Sequence, residues 1–285
     1  MDIIEKMRRL SADIRIETIR ALAVAGFGHI GGAMSVADAL GALYGGAMNI
    51  RPDDPKWEGR DMLVMSKGHS GPALYAALAL SGYFPMDWLK TVNKPGTRLP
   101  SHCDRLKTPG VDMTTGSLGQ GVSMAVGLAM ACRLKKIGNW IYCIMGDGES
   151  QEGQVWEAVQ CAASQGLGNF ILLVDYNKIQ LDGATEAICK PFDLVKKFEA
   201  FGFRAEEVKG YDAGDIYRGI LRAKEAGKPS ALLLDTYKGL GCCFAEGVFN
   251  HYMNIDMGMA DLAIAEIERR YANGTYPGGD FKWRS

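Results

Sequence analysis

Short uninterrupted apolar runs alternate along this chain with longer stretches in which apolar residues recur every three or four positions. The runs at 61–66, 140–145, 170–174 and 231–234 lack the in–out alternation of a strand with one wet face, so they read as strands buried on both sides. Another strand is predicted at 203–208. Helical spacing marks 2–25, with Ile3, Ile4, Met7, Leu10, Ile14 and Ile19 inward, and 36–48, with Ser35 as its N-cap. It recurs through Ala73, Leu74, Ala77 and Leu78, and in the small-residue segment 122–134. Val155, Trp156, Val159 and Ala162 share another helical face. Helices also read at 193–201, at 215–226 with Ile216, Ile220 and Leu221 inward, and at 259–272, whereas 82–110 is irregular. Strands alternating with helices predict an α/β fold: a doubly wound, mostly parallel sheet flanked by helices.

The polar breaks in this pattern fall where the strands end. The run at 140–145 stops at Gly146-Asp147-Gly148, a helix follows, and the run at 170–174 stops at Asp175-Tyr176-Asn177. In a βαβ unit these two tips share the carboxyl edge of the sheet, where open α/β folds bind ligands. Asp147 offers an anionic hard oxygen and Asn177 a neutral one, which suits magnesium or calcium with water or ligand phosphate completing the shell. The glycines at 146, 148 and 153 do not have dinucleotide-fingerprint spacing. A carboxylate between the first two would repel a bare pyrophosphate unless a divalent cation stood between them. An ordinary Asp/Gly turn is the plainer alternative for Gly146-Asp147-Gly148 taken alone.

Three further loops carry histidine. Gly26-Phe27-Gly28-His29-Ile30-Gly31-Gly32 sets four glycines around one imidazole, an arrangement that lets something lie close to backbone. Ser66-Lys67-Gly68-His69-Ser70-Gly71 sits at a strand-to-helix junction, where N–H groups and an imidazole can meet an anion, or the imidazole can cap its own loop. His102 lies in Ser101-His102-Cys103-Asp104, and His251 follows the Thr236-Tyr237-Lys238-Gly239-Leu240-Gly241 turn. The chain has four histidines, and all four are predicted in loops.

Composition narrows the classes. With 285 residues, 47% hydrophobic and a net charge of −1, the chain is long enough for one large domain at 1–285, with an extended tail from about 274. No basic block points to nucleic acid, and no segment is apolar enough for a membrane span. The seven cysteines form no C-x-x-C pair and lie mostly in apolar runs, and the N-terminus lacks a signal peptide's apolar stretch. A cytoplasmic protein with reduced thiols is expected.

G-D-G-x-x-x-E-G followed by D-x-N-K-I-x-x-D-G resembles the thiamine diphosphate signature in its transketolase form. The opening G-H-x-G-G-x-x-S, the S-x-G-H loop, the stretch from Pro109 to Gly121 containing TTGSLGQG, and T-x-K-G-x-G resemble that family too. The resemblance implies the family's diphosphate-binding domain, with thiamine diphosphate held through Mg2+ or Ca2+ by Asp147, Asn177 and the Ile179 carbonyl. It implies His69 and Lys238 near the diphosphate, and Gly116, Ser117 and Leu118 at the aminopyrimidine and rings. Gly146, Gly148, Glu149, Glu152 and His251 complete the implied cofactor set, with Glu152 and Glu157 in an acid network at a subunit interface; a pair of acids near a helix N-terminus is the plainer alternative. His29 and His251 are implied to work on the donor hydroxyl, and His102 on the two-carbon unit. Two departures stand out: the family has His-Pro-Glu at His102 and His-Gly where this chain has His251-Tyr252.

The resemblance runs from Gly28 to His251, only the first third or so of a full-length transketolase. The pyrimidine-binding domain, with the glutamate that contacts the aminopyrimidine, is absent. This implies one half of a split transketolase acting on sugar phosphates. The partner would be a separate C-terminal subunit carrying that domain, in an α2β2 assembly. Rival expectations are a different thiamine enzyme, a split transketolase for a sulfonated or branched sugar, and a non-catalytic cofactor-binding scaffold.

Overall fold

Five parallel strands form the central sheet: β1 (Met62–Met65), β2 (Ile141–Gly146), β3 (Phe170–Tyr176), β4 (Arg204–Lys209) and β5 (Ser230–Asp235), in the order β1-β2-β3-β5-β4. The computed structural model describes residues 2–181, 183–246 and 251–277. Asp182 and Asn250, which the sequence motifs include, and the tail beyond Pro277 lie outside the described residues.

The sheet is covered on both faces, which is why its strands read as continuous apolar runs. Successive strand residues point to opposite sides. Tyr142, Ile144, Ile171, Leu173 and Leu232 pack with Met7, Ile14, Ile19 and Leu40 into one core. Ile141, Cys143, Met145, Leu172, Val174 and Leu233 pack into the other, against Val122, Val155, Val159 and Phe198. The first core is closed by helices Ile3–Ala25, Gly71–Leu80, Ala213–Glu225 and Met257–Ala272, the second by Gln120–Lys135, Gly153–Ser164 and Leu194–Ala200. The strand predicted at 203–208 is β4, at the edge of the sheet. Arg204, Glu206, Glu207 and Lys209 charge it, as an edge that must not pair with another chain requires.

Asp193, Asp212 and Asp256 cap their helices by accepting main-chain N–H bonds from Lys196, Gly214 and Met259. Ser35 caps nothing. The 36–48 segment is broken into helix Ala37–Ala42 and a wider turn Leu43–Ala47, and the Ser35 hydroxyl instead donates to Asp175 Oδ2 at 2.7 Å. Ile3 and Leu221, predicted inward, are 44% and 41% exposed. Trp156 is only partly buried, and its indole N–H donates to the Ser150 carbonyl at 2.8 Å. All seven cysteines are free, and Cys103, Cys132, Cys143 and Cys242 are buried. Among the described residues no helix is long and apolar enough to cross a membrane.

Candidate active site

Four strands deliver their polar ends to one edge: β1 runs into Ser66-Lys67, β2 into Gly146-Asp147, β3 into Tyr176-Asn177 and β5 into Thr236-Tyr237-Lys238. The register places Gly146 opposite Asp175 and Tyr176 opposite Asp235, so these tips lie side by side. Helix Ile3–Ala25 ends at Gly26, whose φ of 87° suits glycine, and the turn sends His29 to the same edge. Gly68 is equally constrained. A Cβ there would lie 2.8 Å from the Thr115 carbonyl carbon, so only glycine lets the His69 loop close on the Thr115-Gly116 loop.

The result is a cavity of about 320 Å3 lined by all four histidines together with Lys67, Lys238, Asp147 and Asn177. The His29 ring centroid lies 5.6 Å from His69, 5.5 Å from His102 and 5.1 Å from His251, and His69 lies 4.8 Å from His251. Gly32, Gly116, Leu118, Gly146, Gly148, Glu149, Glu152 and Ile179 also line it. Ser117 is not among the lining residues. It is exposed, and its carbonyl accepts the Gln120 N–H at the start of helix Gln120–Lys135.

Beneath the cavity is a network whose pairing was not readable from sequence. Lys67, 2% exposed, is paired with Asp175, which is fully buried. Asp175 Oδ2 also accepts from the Asn177 amide at 2.9 Å, and Lys67 donates to the Gly32 carbonyl at 3.1 Å. Because the Asn177 nitrogen faces Asp175, its oxygen is turned the other way, where the Ile179 N–H donates to it at 3.0 Å. Asp147 accepts from the Gly148 and Lys178 main-chain N–H groups at 2.8 and 2.6 Å. Glu149 accepts from Gly119 N–H at 2.7 Å and Gly146 N–H at 3.1 Å, and from the Ser66 hydroxyl, so it braces three loops.

At the Asp147 end of the cavity two buried carboxylates act on each other. Burial, and then the neighbouring Asp175, push the Asp147 carboxyl up to about 7. Asp175 Oδ1 is buried with no hydrogen-bond partner among the described residues. A hard divalent cation at Asp147 would offset the cost of burying its charge, and a carboxylate, a carboxamide oxygen and a main-chain carbonyl are donors it takes. The imidazoles sit at the opposite extreme. Burial, reinforced by His102 and Lys238, holds His29 down at about 4. Burial, then Lys238 and His29, does the same to His251. His69 and His102 are also lowered by burial, and Lys238 is brought down to about 8 by burial and Lys67. The histidines are therefore neutral at pH 7 and able to accept or pass a proton.

The family model for the thiamine diphosphate binding domain of transketolase matches residues 6–271. The chain belongs to this transketolase family. It is 49% identical over 261 residues to the 6-deoxy-6-sulfo-D-fructose transketolase subunit SqwG of Clostridium sp., covering 91% of this chain and 95% of that one. It is 38% identical to an apulose-4-phosphate transketolase subunit from Actinobacillus succinogenes, covering 89% and 92%. The transketolase structure from Campylobacter jejuni superposes with a TM-score of 0.84 at 30% identity over 99% of this chain but only 44% of its own. The chain thus has the length of the two subunit relatives and less than half that of the transketolase structure. It serves as the N-terminal subunit of a thiamine diphosphate- and magnesium-dependent transferase of two-carbon units. The buried Asp147 carboxyl, with the Asn177 side chain beside it, fits that cofactor and its metal.

Proposed function

We propose that this chain is the diphosphate-binding half of a split transketolase, working in the cytoplasm with a separate C-terminal subunit, in an α2β2 assembly. That partner would carry the pyrimidine-binding domain and the glutamate for the aminopyrimidine. We further propose a sulfonated ketose, 6-deoxy-6-sulfo-D-fructose, as the donor, because identity to the subunit named for that sugar is higher and covers more of the chain than identity to the apulose phosphate relative. The reading is carried by one observation: four histidines far apart in sequence line a single cavity beside Asp147 and Asn177.

In this reading the whole chain, 1–285, is one diphosphate-binding domain. Asp147, Asn177 and the Ile179 carbonyl hold the metal, and His69, Lys238, Gly146, Gly148, Glu149 and Glu152 surround the diphosphate. Gly116 and Leu118, which line the cavity, lie by the rings. Bound thiamine diphosphate supplies the electron sink that carbon–carbon cleavage needs. The protein's own part is positioning and proton transfer. His29 and His251, held neutral by burial and by Lys238 beside them, take the proton from the donor hydroxyl whose loss drives cleavage. His102 binds the terminal hydroxyl of the two-carbon unit.

The test is ketol transfer with magnesium and thiamine diphosphate, by the chain alone and by the chain mixed with the subunit encoded beside it. The donors are 6-deoxy-6-sulfo-D-fructose, fructose 6-phosphate and xylulose 5-phosphate, with glyceraldehyde 3-phosphate or ribose 5-phosphate as acceptor. Activity is expected only in the mixture and best with the sulfonated donor. Turnover by the chain alone would overturn the split reading, and a preference for the phosphorylated donors would overturn the sugar assignment. If His29→Ala and His102→Ala left the mixture fully active, the chain would be a scaffold.

A further inference from the structure

His29 is held by more than the other cavity histidines. The ring of Tyr252 stands nearly perpendicular to it, at 73° and 4.9 Å between centroids, closer than any of the three neighbouring imidazoles. Tyr252 is not among the residues lining the cavity. It is half exposed and packs on its other neighbour, Phe27, at 5.7 Å. The backbone fixes this arrangement. Phe27 and Gly28 pair antiparallel with Asn254 and Met253, and the Ile255 N–H donates to the Gly26 carbonyl at 3.0 Å. The segment carrying Tyr252 and the loop carrying His29 are therefore zipped together, which holds the two backbones side by side.

We propose that Tyr252 is a positioning residue for His29, its ring fixing the plane in which the imidazole faces the cavity. Aromatic pairs at this separation prefer the edge-to-face geometry seen here, and that preference resists rotation of the smaller ring. The contact needs the tyrosine ring and not its hydroxyl. The kinetic consequence rests on the proposed role of His29; the contact itself does not.

Two variants separate ring from hydroxyl: Tyr252→Phe and Tyr252→Leu. In the isolated chain, long-range proton–nitrogen spectra resolve the histidine rings, assigned by single His→Gln substitutions. The His29 ring signals should shift in Tyr252→Leu and stay near their wild-type positions in Tyr252→Phe. In the mixture with the partner subunit, Tyr252→Leu should lower kcat about tenfold, with KM changed less than about twofold, and Tyr252→Phe should retain most of the rate. Unmoved His29 signals in Tyr252→Leu would overturn the proposal, as would equal damage from both substitutions. If the wild-type mixture transfers no ketol unit, the functional reading fails, and the spectra of the isolated chain still decide for or against Tyr252.

Discussion

Lys67 and Asp175 are withdrawn from water and bonded to each other, so removing either leaves the other as an uncompensated buried charge. Asp175→Ala or Lys67→Met should destabilise the chain by about 3–5 kcal/mol in urea unfolding, whereas the double replacement Lys67→Met/Asp175→Leu should cost markedly less. A single variant as stable as wild type would show that the pair is not closed in solution. Asp175 also accepts a hydrogen bond from the Asn177 side-chain nitrogen at 2.9 Å, which turns the Asn177 oxygen away from Asp175. Outer partners of this kind tune metal affinity roughly 10–100-fold, so a folded Asp175→Leu chain, rescued by Lys67→Met, should bind magnesium and thiamine diphosphate correspondingly more weakly in calorimetry. Asp147→Asn should leave the chain folded and abolish the metal dependence of that binding. Retained metal-dependent binding in Asp147→Asn would remove Asp147 from the ligand set.

At the scale of elements, the sequence was most legible where a segment's environment is uniform. Strands β2, β3 and β5 are apolar because both faces are covered, and their ends were found within a residue or two. Boundaries slipped where a polar residue serves a distant partner. Ser35 has the chemistry of a cap but bonds Asp175, and the pairing of Lys67 with Asp175 joins two loops through tertiary structure alone. The same holds for Arg15. It reads as a charged residue on a surface helix yet is fully buried, donating to Asp38 at 2.6 Å and to the Leu240 carbonyl at 2.8 Å. This bond ties helix Ile3–Ala25 to the turn that follows Lys238. Arg15→Met keeps the apolar stem but leaves Asp38 unpaired and frees the turn. It should cost about 3–5 kcal/mol. It should also raise amide exchange in residues 239–246 above the chain-wide average. Unchanged exchange there would mean the turn is held without Arg15.

At the scale of the whole molecule, the histidine cavity exists only because four strand ends and a helix end converge, so its titration reports on the assembled fold. His29 and His251 sit at about 4, below the ordinary 6.5, because burial and nearby cations disfavour their charged forms. Between pH 6.5 and 4 the unfolded chain therefore takes up protons that the folded chain refuses, and these two residues make stability fall as the pH falls through that window. Buried carboxyls act in the opposite sense. Asp112, pushed up to about 6 by burial, binds its proton more readily folded than unfolded and favours the folded chain as the pH drops. A melting curve of the wild type against pH mixes the two effects, so the difference between chains is the useful quantity. His29→Gln/His251→Gln should lose less stability than wild type on going from pH 7 to pH 5, because the uptake by the unfolded state is gone. Proton NMR should place the midpoints of both rings near 4 in the isolated chain. Midpoints near 6.5, with equal acid sensitivity of the two chains, would mean that water reaches the cavity freely and that these imidazoles are not held neutral by the fold.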